Sequence, residues 1–283
     1  MEYITTPKQA DYVAVSGMAN ALAARYRFLC LSPIGSSVND RNIWGLMLGD
    51  GEERVLFSAA FHGMEWLTTL VCLRLCEDMC NAITKNKTLS GWNVRRAMRG
   101  RSIVFVPQVN PDGVEISLSN PQSRWQANAN GVDLNHNFNA GFKELQQMEQ
   151  NNGINGPCAS QWGGPHPESE PETKALTALC ERCDFRHVVA LHSQGEEIYW
   201  RYGKHTPPAS LLMAQAMAAA SGYTVSESTG LASHGGFKDW FIKTYHRAGF
   251  TIELGKGENP LPLSDFEGVY EKAREMLLIA AFL

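Results

Sequence analysis

The feature that most narrows the fold is a set of short apolar runs that each break off at an ionisable residue. Arg54 to Ala60 reads as a strand that delivers His62, and Glu65 follows at the mouth of a long apolar segment. Val188-Val189-Ala190-Leu191 stops at His192, and Phe250-Thr251-Ile252 stops at Glu253. Short runs without polar alternation are strands covered on both faces, as in parallel sheets. Helical patterns alternate with them: residues 8–25 (Tyr12, Val15, Met18 and Leu22 at helical spacing), Leu67 to Ile83, Glu170 to Cys180, Pro208 to Ser221, Phe237 to Tyr245, and a last helix to about Ala281. Ser264 and Glu267 read as a capping box for that last helix. The alternation predicts an α/β fold in a single domain spanning residues 1–283. In open α/β sheets, ligands bind beyond the carboxyl ends of the strands. The ionisable residues therefore fall where chemistry is expected.

Composition excludes several functions. With 283 residues, 44% hydrophobic, the chain can bury a large core. A net charge of -4 supplies no basic field, so nucleic acid is not an expected partner. No apolar run reaches the length of a membrane span. The first residues, Met1 to Pro7, lack a basic region followed by an apolar core, so no signal peptide is expected. The seven cysteines are odd in number and scattered. Cys72, Cys76 and Cys80 recur every four residues along one stripe of a helix and read as buried small apolar side chains, with thiolate ligation of a metal as the rival reading. Such a set fits reduced thiols and a cytoplasmic setting.

Zinc accepts imidazole nitrogen and carboxylate oxygen, and a catalytic zinc keeps one position open for water. His62 and Glu65 at a strand-to-helix turn suit such an ion. Alone, they more readily describe a partly buried histidine beside a helix-start glutamate, where the macrodipole favours negative charge. His192 is the natural third ligand and Glu253 the natural free carboxylate. Each has a plainer reading: a strand-end polar cap for His192, and an ion pair with Lys238 or Lys256 for Glu253. Asn110-Pro111-Asp112-Gly113 reads as a turn. Glu115 to Gly164 reads as a long polar loop centred on Gly131-Val132-Asp133-Leu134-Asn135-His136, and loops of that length are usually functional.

In order, His62-x-x-Glu65, Asn110 to Gly113, Gly131 to Asn135, Ser169-Glu170-Pro171-Glu172-Thr173, Leu191-His192-Ser193 and Thr251-Ile252-Glu253-Leu254 resemble the zinc carboxypeptidase family over nearly the whole chain. Leu191 to Trp200 and Gly235 to Phe241 are similar to its branch of bacterial γ-D-glutamyl-diamino acid endopeptidases, which cut cell-wall peptides. The resemblance implies a mixed, mainly eight-stranded sheet between helices. It also implies one zinc ion held by His62, Glu65 and His192, with Asp133 orienting the first histidine and Glu253 as the catalytic carboxylate. The implied substrate is a murein peptide, cut at the γ-D-glutamyl–meso-diaminopimelate bond. The rivals are a carboxypeptidase or deacylase of the same fold, and a binding or sensor protein without turnover.

Two positions depart from the family pattern. Asn135-His136 stands where carboxypeptidases clamp a terminal carboxylate with Asn-Arg, and a histidine gives no bidentate fork. His136 has a second reading as a loop hydrogen bonder. Leu231 falls at the family's mobile tyrosine, with His234 as the candidate substitute. The oxyanion-side arginine is assigned to Arg124. For a diaminopimelate-type substrate, Glu196 or Glu197 is expected to meet the amine, and Lys238 or Arg201 the carboxylates.

Overall fold

Along the strand Glu53–Ala59, Val55, Phe57 and Ala59 join one apolar cluster while Leu56 joins another. This two-sided burial repeats through the centre of the sheet. The computed structural model describes residues 3–6 and 8–283. Its main sheet comprises Leu29–Ser36 (β1), Asn42–Gly49 (β2), Glu53–Ala59 (β3), Arg101–Val106 (β4), His187–His192 (β5), Glu197–Tyr199 (β6), Thr224–Ser226 (β7) and Ala248–Glu253 (β8). They lie in the order β1-β2-β4-β3-β5-β8-β6-β7. The four central strands β4, β3, β5 and β8 are parallel to their neighbours in that group. β1–β2, β2–β4 and β8–β6 pair antiparallel, so the sheet is mixed.

Helices cover both faces. Tyr12–Arg25 (α1), Leu67–Lys85 (α2), Ala209–Ser221 (α6) and Phe266–Phe282 (α8) supply one cluster; Pro171–Cys183 (α5) and Phe237–Tyr245 (α7) supply the other. α2 is buried on nearly every side from Leu67 to Cys80, and Cys72, Cys76 and Cys80 lie fully inside it. Burial pushes the Cys72 thiol far above its usual range. The stripe of thiols is thus packing. No helix among the described residues is long and apolar enough to cross a membrane.

The structure differs from the sequence reading at three places. Asn110 to Gly113 starts a helix: the Asn110 side chain accepts from Gly113 N at 2.8 Å and Pro111 occupies the first turn of Pro111–Ser119 (α3). Proline fits there because its missing N–H has no helical partner anyway. The polar region beyond holds a second helix, Phe142–Asn151 (α4), which buries Phe142, Leu145 and Glu149 on one face. The expected capping box does not form. Ser264 donates to Asp265 instead, and Glu267 pairs with Arg74.

His187 opens β5, and its Nε2–H donates to the Ala280 carbonyl of α8 at 2.6 Å. Burial lowers its pKa from 6.5 to about 4. Between those values the unfolded chain binds a proton that the native protein does not, so stability falls as pH drops from 6.5 through 4. This group accounts for about 3 kcal/mol of that loss. Urea titrations of a His187→Gln protein at several pH values in this window should show a correspondingly flatter pH dependence than the parent.

Candidate active site

Three parallel strands end over one edge of the sheet. Glu253 of β8 is the register partner of His192 of β5, and Ala59 of β3 that of Leu191. After Ala59 the chain turns at Ala60, which has a left-handed φ of 50°. Ala60 N donates to Thr68 Oγ1 at 3.0 Å, and that hydroxyl donates to the Glu65 carbonyl at 2.7 Å. A single 3-10 turn, Gly63–Glu65, then brings Glu65 back beside His62. Asn110 ties this loop down, since its Nδ2 donates to the carbonyls of Phe61, Gln126 and Ala127. Gly63 lies against Gly113, where a Cβ would meet the Gly113 carbonyl oxygen at 2.1 Å. The backbone itself occupies the space a side chain would need.

His62 Nδ1 stands 2.8 Å from Glu65 Oε1, and His192 Nδ1 stands 3.0 Å from Glu65 Oε2. One ligand atom from each residue lies within 4.8 Å of the others, the one such group among the described residues. Ligands of one tetrahedral zinc stand about 3.3 Å apart, so these spacings suit it. Glu65 Oε2 is buried, and its polar neighbour is His192 Nδ1 at 3.0 Å. Burial alone would raise the Glu65 carboxyl, but His62 and His192 outweigh it and bring it to about 2. Burial likewise opposes a charged His62, yet Glu65 and Asp133 hold it well above its usual value. A buried carboxylate facing two imidazoles offers one anionic and two neutral donors to a single cation. The donor set fits zinc.

Asp133 completes the support. With His62 Nδ1 turned to Glu65, its Nε2–H donates to Asp133 Oδ1 at 3.1 Å. Asp133 also accepts from Asn135 N at 3.0 Å and Gln161 N at 2.9 Å. Burial raises its pKa, but His62 and His136 outweigh that and hold the carboxylate below its ordinary range. Glu253 is half-buried beside the cluster. Burial, reinforced by the Glu65 carboxylate, pushes its pKa well above the usual carboxylate range.

The family model for zinc carboxypeptidases matches residues 15–276. The chain belongs to the zinc carboxypeptidase family. It is 34% identical to the γ-D-glutamyl-L-diamino acid endopeptidase 1 of Lysinibacillus sphaericus, over 96% of this chain and 72% of that one. In fold it is similar to bovine thrombin-activatable fibrinolysis inhibitor (TM-score 0.81, 21% identity, 99% and 98% of the chains). A looser likeness joins it to the murein-tripeptide amidase MpaA of Escherichia coli O157 (TM-score 0.57, 22% identity, 89% and 92%). The protein is therefore a metallopeptidase, with the mixed sheet that the resemblance implied.

Around this zinc carboxypeptidase-type centre the other expected residues divide. A cavity of about 170 Å³ opens beside Glu253, lined among others by Asn135, Lys238, Tyr199 and Thr251. Asn135 Oδ1 accepts from Phe237 N at 3.1 Å. His136 is turned inward, its Nδ1 3.0 Å from both Glu149 Oε1 and the Gln161 carbonyl, and it does not line the cavity. Lys238 is buried, with Nζ bonded to Asp239 and to the Arg201 carbonyl. Glu196 is engaged by Lys272 at 2.6 Å and Lys256 at 3.1 Å. Arg124 is exposed and paired with Glu258 at 2.7 Å. Leu231 sits half-exposed in a 3-10 turn. The clamping by Asn110 and the inward pull of Glu149 on His136 go beyond what the sequence reading expects. The Asn-Pro sequence held the signal for the first, as a helix start.

Asp133→Asn should keep the fold and loosen zinc by about 10- to 100-fold, because a neutral amide no longer fixes the His62 tautomer. Competition with a zinc chelator measures this directly.

Proposed function

We propose that this metallopeptidase hydrolyses murein peptides at the γ-D-glutamyl–meso-diaminopimelate bond, in the cytoplasm. The observation that carries the chemistry is Glu253 standing in register beside His192, at the edge of the three-donor cluster. The name of the Lysinibacillus relative supports the bond type. His136, drawn inward by Glu149, leaves no guanidinium to grip a peptide's terminal carboxylate, which favours an internal bond over a C-terminal residue. The odd set of free cysteines supports the reducing compartment.

His62, Glu65 and His192 hold the metal. Bound zinc supplies Lewis acidity, acidifying water and polarising the scissile carbonyl. Glu253 takes the proton from the attacking water. Its raised proton affinity lets it keep that proton until the leaving amine accepts it. Asp133 holds the His62 Nε2–H, so that Nδ1 presents its lone pair to the cluster. Asn135 orients the substrate from the cavity wall. Arg124 serves as the oxyanion-side donor after exchanging Glu258 for substrate. Both partners are largely exposed, and such an ion pair is worth about 0–1 kcal/mol.

The zinc-loaded protein should release diaminopimelate from L-Ala-γ-D-Glu-meso-diaminopimelate, followed by mass spectrometry. Glu253→Gln should lower kcat by about 10³-fold while retaining stoichiometric zinc. An intact peptide with the unmodified, zinc-loaded protein would remove this substrate; equal turnover in the Glu253→Gln variant would remove the proton-transfer role.

A further inference from the structure

Two of the charged groups expected to meet the substrate, Lys238 and Glu196, already have partners. Lys238 is held by Asp239 and a carbonyl, and Glu196 by two lysines. Free ionic capacity lies one step further out. The cavity beside Glu253 shares Glu227 and Ser228 with a larger one of about 620 Å³, whose lining includes Arg201, Lys204 and His205. Arg201 Nη1 meets Glu227 at 2.9 and 3.1 Å, and each side chain is about half exposed, at 48% and 50%. Lys204 has no hydrogen bond or ion pair among the described residues. Tyr199 and Thr251, register partners across the sheet, wall the passage between Glu253 and these charges.

We propose that the larger cavity reads the far end of the leaving residue's side chain and takes one that ends in both an ammonium and a carboxylate. Glu227 receives the ammonium; Arg201 and Lys204 receive the carboxylate. This rests on the peptidase reading above and adds to it the residues that choose the diamino acid. A zwitterion inserted between Arg201 and Glu227 exchanges one ion pair for two and leaves neither charge bare. Lys204 supplies an additional cation, which favours a carboxylate over a side chain that ends in an amine alone. The Arg201–Glu227 pair is exposed enough to open at small cost.

The test compares L-Ala-γ-D-Glu-meso-diaminopimelate with L-Ala-γ-D-Glu-L-Lys, which lacks only the far carboxylate. Binding is measured by calorimetry to the zinc-loaded Glu253→Gln protein. The diaminopimelate peptide should bind about tenfold more tightly. Adding Lys204→Glu should abolish that preference, and Lys204→Arg should keep it. Glu227→Gln should weaken both peptides by a similar factor, because both carry the amine. No binding, no preference, or a preference untouched by Lys204→Glu overturns the assignment. Hydrolysis by the unmodified protein is scored separately. The full binding pattern without cleavage keeps this subsite and removes the peptidase reading, whereas cleavage without the pattern does the reverse.

Discussion

In the parallel ladder of β3, β5 and β8, Glu253 lies beside His192 and Ala59 beside Leu191, so three chain exits open over one edge. Side chains alternate along a strand, and a one-residue slip of β8 would carry Glu253 to the opposite face. What prevents the slip is the core. Phe250 and Ile252 pack into the cluster under α2 and α8, with Val189 and Leu191 of β5 beside them. The register that buries these side chains is the register that sets Glu253 beside His192 of the three-donor cluster. Damage to the apolar layers is therefore damage to the site's geometry.

The second constraint is charge. Glu65, Asp133 and Glu253 crowd around two imidazoles in a place where water is scarce. Like carboxylates disfavour one another's ionisation, and each neighbouring cation relieves this. Of the three, Asp133 has the most complete set of donors, while Glu253 has none among the described residues and carries the raised proton affinity. The same cluster thus contains an anion fixed against His62 and another whose proton affinity is raised.

The covered sheet, its main helices and the donor cluster of His62, Glu65 and His192 were legible because they are written locally. Apolar runs mark strands, and each donor follows at a strand end. The helix at Pro111–Ser119 was legible in principle, since Asn-Pro is both a turn signal and a helix start. Only the neighbours that Asn110 grips, on Phe61 and residues 126–127, decide between the two. The fate of the surface charges was not written locally. Glu196 and Lys238 look available in sequence, but Lys272 and Lys256 reach the first and Asp239 holds the second. Arg124 and Glu258 meet across 134 residues. Ion pairing is a matter of final proximity, and no spacing rule foretells it. Position 136 is similar: its direction is set by Glu149 on a helix that the polar composition of residues 142–151 disguises.

The thiols inside α2 have a practical meaning. Cys72, Cys76 and Cys80 are out of solvent, so an alkylating reagent finds no access there, and burial pushes the Cys72 and Cys76 thiols far upward. α2 begins two residues after Glu65, the last residue of the Gly63–Glu65 turn, and packs against α8. Alkylation of these three positions can proceed only as fast as that helix comes away from the sheet. They form an internal clock for opening, placed on the element whose first turn adjoins Glu65. Its rate with and without bound zinc would time how firmly the ion fastens the helix to the rest of the molecule.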